Sequence, residues 1–176
     1  GKNINNNCGA THTDALKKFI FDFNSINANS SDYDKARKPK ELKIDLGVAF
    51  DGDGDRVQCV AADGSVVDGD ELLFIIAMDR VRRGGIVEGV VGTQMTNLGM
   101  EQGLAEHGIS LVRAGVGDRH VLAAMSQKGW LLGGEASGHI ICGDVATTGD
   151  GIIAALQVLA AMIGSGGSLL TLKNGM

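Results

Sequence analysis

The run Asp51-Gly52-Asp53-Gly54-Asp55-Arg56 sets three carboxylates and a guanidinium within six residues, directly after the apolar stretch 44–50. Alternate positions of an extended chain face the same side, so the three Asp side chains converge. The intervening glycines let the backbone turn sharply. Converging anionic oxygens repel one another unless a hard cation sits among them, and Mg2+ or Ca2+ suits an all-oxygen set. Arg56 is placed to meet a phosphate bridging to such an ion. Asp and Gly are also turn formers, and Asp63-Gly64 between two apolar runs reads as a hairpin turn. An EF-hand calcium loop needs Gly at its sixth position and Glu at its twelfth. Arg56 and Ala62 stand there, which excludes it.

Three other polar clusters carry chemistry. Gly134-Glu135-Ala136-Ser137-Gly138-His139 puts Glu, Ser and His at alternate positions, which suits a polyhydroxylated ligand or acid–base work, or equally a polar turn. Gly115-Val116-Gly117-Asp118-Arg119-His120 lies where a strand meets a helix, a place where phosphate binds readily. It is no dinucleotide fingerprint, because His120 replaces the final glycine. Thr147-Thr148-Gly149-Asp150-Gly151 fits helix capping. No Walker A sequence or G-x-S-x-G elbow occurs, and the four His lack zinc spacing.

The elements that must hold these loops can be read from periodicity. Residues 13–18 read as a helix start and 24–43 as an irregular insertion around the only proline, Pro39. Residues 44–50 predict a buried strand, with 57–61 and 65–67 as a hairpin. Asp70-Glu71 is expected to cap a helix over 72–83, and the arginines in its last turn suit a helix C-terminus. Strands at 86–91, 109–114, 130–132 and 139–142 then alternate with helices capped by Asn97 and Asp118 and a long helix over 151–163. This alternation predicts an α/β fold of mixed, largely parallel sheets layered with helices. A boundary near Asp68 is expected to divide residues 1–67 from 68–176, as parts of two domains.

Length and composition set the outer limits. With 176 residues, 44% of them hydrophobic, and a mean hydropathy of +0.08, the chain can bury a real core. Its 27 glycines are about twice the usual share of roughly 7%, so tight turns and close backbone–ligand approaches are expected. No apolar run reaches the roughly 18 residues of a membrane helix, and no membrane partner is expected. Residues 1–43 hold eight Lys/Arg against five Asp/Glu, but the net charge is -5 and aromatics are scarce, so no nucleic-acid partner is expected. Cys8, Cys59 and Cys142 are scattered and fit reduced thiols of a cytoplasmic protein. The chain opens on Gly1 and closes on Asn174-Gly175-Met176, and it reads as an internal fragment.

Taken together, Asp51–Arg56 and Gly134–His139 resemble the metal loop and sugar loop of the α-D-phosphohexomutase superfamily, most closely its bacterial phosphoglucosamine mutase family. Asn7–Thr11, Val91–Asn97, Val116–Arg119 and Thr147–Gly151 support the resemblance at the right separations. It implies an enzyme of four domains, of which residues 1–67 resemble the end of the second and 68–176 the third, sugar-binding one. It implies that Asp51, Asp53 and Asp55 ligate Mg2+ and that Arg56 contacts phosphate as a catalytic group. Glu135, Ser137 and His139, with Gly117, Asp118 and Arg119, would then bind a phosphosugar substrate. The implied reaction interconverts glucosamine 6-phosphate and glucosamine 1-phosphate through a phosphoserine outside this chain. Other implied partners are the remaining domains, so the isolated chain is expected to be inactive. The match departs from the family at Gly115, where relatives commonly have Lys, and over residues 19–43, which exceed the usual link.

Two other readings remain open at this stage. Asp51-x-Asp53-Gly54 after an apolar strand also resembles the nucleophile loop of haloacid-dehalogenase-like phosphatases, although Asp55-Arg56 replaces the expected Thr. The other is a non-catalytic module that binds metal or sugar. Glucose and mannose phosphates are alternative substrates.

Overall fold

The computed structural model describes residues 44–176; the readings made for residues 7–11, 13–18 and 19–43, and for Cys8, lie outside them. Strands β1 (Leu46–Phe50), β2 (Val57–Ala61) and β3 (Val66–Val67) form an antiparallel sheet in the order β1-β2-β3. Asp63-Gly64 turns the chain as its residue types demand. Gly64 adopts φ 85°, and the Asp63 carboxylate accepts the Ser65 amide at 2.9 Å. β1 is shorter than the apolar run and half-exposed rather than buried. It lies at the edge of the sheet, so Phe50 keeps 43% of its surface.

The second sheet has β4 (Gly89–Thr93), β5 (Ser110–Ala114), β6 (Leu132–Gly134) and β7 (Ile140–Cys142) in the order β5-β4-β6-β7. β4 pairs in parallel with β5 and β6, and β7 returns antiparallel to β6. Helices α1 (Gly69–Arg82), α2 (Leu98–Glu106), α3 (Asp118–Lys128), α4 (Gly151–Ser165) and α5 (Leu169–Lys173) surround it. Both faces of a parallel sheet need cover, and successive strand residues supply them. Val90, Leu132, Ile140 and Cys142 join the core with Phe74, Met100 and Val158 from α1, α2 and α4. Val91 and Ile141 face the other way, onto Val121 and Met125 of α3. Val57, Cys59, Ala61 and Val67 belong to the first of these cores, so the antiparallel sheet rests on α1 and α4. Among the described residues no helix is long and apolar enough to cross a membrane.

Several boundaries differ from the sequence reading for identifiable reasons. β4 begins at Gly89 rather than Ile86, because the Gly85 amide still bonds Arg80 and Ile86 is 90% exposed. Trp130 is not in β6: its ring lies against Gly89, where a Cβ would collide with it, and its amide closes α3 onto Met125. α1 is capped by Asp68, not by Asp70-Glu71. Asp68 and Glu71 form a reciprocal capping box. The N-cap of α3 is Gly117, with Asp118 its first residue. Helix α5, capped by Ser168, lies in a stretch for which periodicity gave no element.

Candidate functional site

The Asp loop leaves β1 and returns on β2, so the hairpin pins both of its ends. Asp51, Asp53 and Asp55 each bring one oxygen within 4.8 Å of the others. Asp51 accepts the Arg56 amide at 3.2 Å, and its other oxygen stands 3.9 Å from Arg56 Nε. That guanidinium is otherwise exposed and free to meet an anion.

Asp55 is the most constrained of the three. Its Oδ2 lies 3.1 Å from His139 Nδ1, while Oδ1 is buried with no hydrogen-bond partner. Burial, the Asp51 carboxylate beside it and the Asp51 and Asp53 charges raise its carboxyl above the usual range, and His139 draws it down. An orphaned carboxylate oxygen facing two like charges is the state a hard cation relieves. The donor set therefore fits a hard divalent cation such as Mg2+ or Ca2+.

The loop over residues 134–139 is stitched directly to the Asp loop. Val57 donates to Gly138 O at 3.1 Å, and Arg56 pairs with His139 in an isolated antiparallel bridge. Gly138 has φ 93°, and a Cβ there would strike the Val57 carbonyl, so glycine is needed on both counts. The Gly151 amide at the start of α4 donates to Gly54 O at 2.9 Å. The Thr147–Gly151 segment thus does more than cap: it seats the Asp loop.

Glu135 reaches sideways. Its Oε1 accepts the Gly117 amide at 2.7 Å, and Oε2 lies 3.4 Å from the Ser137 hydroxyl. The loops after β4, β5 and β6 all leave the carboxyl end of parallel strands, the edge where α/β sheets hold ligands. Glu135 ties the second to the third, and Gly69 of α1 holds the third through its bond to Ala136 O. Asp118 and Arg119 are exposed; Asp118 accepts the Arg119 amide, and Arg119 Nε approaches His120 at 3.4 Å. Among the described residues neither forms an ion pair with the Asp loop. An apolar cavity of about 340 Å3, lined by Phe74, Met78 and Leu172 among others, opens beside the other end of α1, away from these loops.

Sequence reasoning missed Asp70. Buried at the start of α1, it accepts the Asn97 amide at 2.8 Å and faces Thr96 Oγ1 at 3.5 Å, fixing the loop after β4. The signal was the capping box Asp68-x-x-Glu71, which frees Asp70 from capping.

Comparison with known proteins adds to this geometry. Residues 68–176 match the family described as phosphoglucomutase/phosphomannomutase, alpha/beta/alpha domain III. The chain is 52% identical over 176 residues to a phosphoglucosamine mutase of Teredinibacter turnerae, and 50% to one of Pseudomonas fluorescens. Each alignment covers all of this chain and 35% of the relative's length. Among solved structures, a phosphoglucomutase/phosphomannomutase family protein from Burkholderia thailandensis superposes with a TM-score of 0.70 at 23% identity, over 94% of this chain and 32% of that one. An N-acetylphosphoglucosamine mutase from Aspergillus fumigatus, in complex with GlcNAc-6P and magnesium, gives 0.61 at 19% identity, over 87% and 36%. By the extent of the family match over residues 68–176, the chain belongs to the phosphoglucomutase/phosphomannomutase family.

Proposed function

We propose that this chain is part of a phosphosugar mutase that interconverts glucosamine 6-phosphate and glucosamine 1-phosphate, with Mg2+ held by Asp51, Asp53 and Asp55. The observation that carries the reading is the orphaned Asp55 Oδ1 within a carboxylate cluster bonded to the Glu135–His139 loop. The named relatives, both phosphoglucosamine mutases, support the choice of sugar. Residues 1–67 are read as the end of a domain that supplies the metal loop, and 68–176 as the sugar-binding domain, which accords with where the family match begins. The phosphoserine and the remaining domains would come from outside this chain.

In this reading a phosphoryl group passes from phosphoserine to the free hydroxyl of the sugar phosphate. The bisphosphate so formed turns over and returns its other phosphoryl group to the serine. Such transfer needs positioning and charge neutralisation more than covalent help. When bound, Mg2+ supplies Lewis-acid stabilisation at the serine oxygen. Arg56, loosely held beside Asp51, has its guanidinium free to take the phosphoryl oxygens. Glu135 and Ser137 keep an acceptor and a hydroxyl for the sugar, groups that serve it in either orientation, and Gly117, Asp118 and Arg119 flank them. The free, buried thiols of Cys59 and Cys142 accord with a reducing, cytoplasmic setting.

The phosphatase reading of Asp51 has less support, because Asp51 follows an edge strand of an antiparallel sheet and already accepts the Arg56 amide. The test is 31P NMR of glucosamine 6-phosphate with Mg2+ and the full-length protein that contains this chain. The anomeric phosphate should appear, and Asp53→Asn should slow it by at least ~100-fold, the scale of losing an electrostatic stabiliser. Release of inorganic phosphate with acyl-phosphate at Asp51 would overturn the reading. The 176-residue chain alone should show no turnover.

A further inference from the structure

Helix α4 meets the Asp loop end-on, and its start leaves no backbone donor idle. The leading N–H groups of a helix have no partner within it. That of Asp150 goes to Ile140 O at 3.4 Å. Those of Ile152 and Ile153 go to Asp150 Oδ1 at 2.9 and 3.0 Å. The remaining one, on Gly151, leaves the helix for Gly54 O at 2.9 Å. Gly54 stands between Asp53 and Asp55 with φ 75°, so its carbonyl belongs to the peptide that carries Asp55. A Cβ on Gly151 would strike the carbonyls of Gly54 and Arg56, so the helix end lies directly against the loop backbone. α4 itself is fixed, with Ala154, Val158 and Ala161 buried in the main core.

We propose that Asp150 is a positioning residue of the Asp loop: by capping α4 it aims the Gly151 N–H at Gly54, and this bond holds the three carboxylates in the convergent arrangement that receives the cation. The inference rests on the metal-loop reading above. Three like charges within 4.8 Å of one another push the loop apart, and its two glycines offer little resistance. A brace from a helix set in the core keeps the loop closed before the ion arrives, so binding has less ordering to do. The positive end of α4 also lies against this anionic loop and eases the repulsion. Asp150 lends geometry and no oxygen to the ion, since the oxygens that converge are those of Asp51, Asp53 and Asp55.

The test is a Mn2+ titration of the full-length protein that contains this chain, followed by electron paramagnetic resonance, which reads metal occupancy without any turnover. Asp150→Ala removes the cap and should weaken Mn2+ binding by ~10-fold or more, the scale of losing an outer-shell partner. Asp150→Asn caps as well as Asp without the charge, and should bind within ~3-fold of the unaltered protein. Gly151→Ala leaves every carboxylate in place, pushes the helix end off the loop, and should weaken binding as Asp150→Ala does. Ser168→Ala removes the cap of α5, away from the loop, and should leave Mn2+ affinity unchanged. Near-UV circular dichroism confirms that each variant is folded, and Asp150→Gly replaces any that is not. If Asp150→Asn loses as much affinity as Asp150→Ala, or Ser168→Ala does, the effect is one of charge or of general stability and the inference is wrong. Asp53→Asn separates the two ideas. If it abolishes binding while Asp150→Ala binds normally, the positioning role is wrong and the metal loop stands. If Asp53→Asn binds as the unaltered protein does, or that protein takes up no Mn2+, the metal-loop reading fails and this inference with it.

Discussion

Asp70 shows how one buried charge can serve the site at a cost to stability. It is 1% exposed, and burial raises its carboxyl above the model-peptide value of 3.8, the Asn97 amide pulling the other way. The folded protein therefore binds the Asp70 proton up to a higher pH than the unfolded chain does. The resulting stabilisation is complete below about 3.8 and is lost as pH rises through the folded value. Asp70→Asn keeps an acceptor for the Asn97 amide and has no proton to lose. Urea midpoints from pH 3 to 8 should show the native chain losing stability relative to Asp70→Asn across that window; parallel curves would refute the assignment. Asp70→Ala leaves the Asn97 amide unpaired and should cost about 2 kcal/mol at pH 7, with the loop after β4 loosened.

At the scale of elements, the start of α1 organises the ligand edge of the sheet. Asp68 accepts the Glu71 amide at 3.0 Å, and Glu71 returns a bond to the Asp68 amide while pairing with Lys173 of α5. The same turn presents Gly69 to the loop after β6 and Asp70 to the loop after β4. Asp68→Ala removes an N-cap worth about 1 kcal/mol, and thermal unfolding should move down by about 2–4 °C. An unchanged midpoint would mean that the packing of α1 holds these loops without the cap. Apart from α5, the elements were legible in the sequence, because their periods and stop signals are local: Asn97 before α2, Gly129 after α3 and Gly166 after α4 stand where the chain turns. The strand ends were not, because they depend on distant contacts. Trp130 reads as a strand residue by type, but its amide closes α3 onto Met125 and its ring packs on the distant Gly89. The Asp loop and the loop over residues 134–139 were visible as motifs for the same local reason. The burial of His139 and its bond to Asp55 were invisible, since they join residues 84 apart in the chain.

Across the described residues, the hairpin bearing the Asp loop and the α/β unit share one core. Val57, Cys59, Ala61 and Val67 from the first sheet pack in the same apolar cluster as Leu72, Ile140, Cys142 and Val158. The family match begins at residue 68, yet the described hairpin has no separate core of its own to hold it. Two thiols report on this. Burial pushes Cys59 up to about 12 and raises Cys142 as well, so neither forms the reactive thiolate at pH 8 until it meets water. Cys59 lies in the first sheet and Cys142 in the second. In a Cys8→Ser background, alkylation by iodoacetamide across a urea series should expose both at one midpoint, because removing either side strips the other of its packing. Reaction of Cys59 at clearly lower urea than Cys142 would show the hairpin opening by itself. The Asp loop could then be lost while the α/β unit stayed folded. With a single core the two halves of the site stand or fall together, which keeps the Asp55–His139 contact intact for as long as the domain is folded.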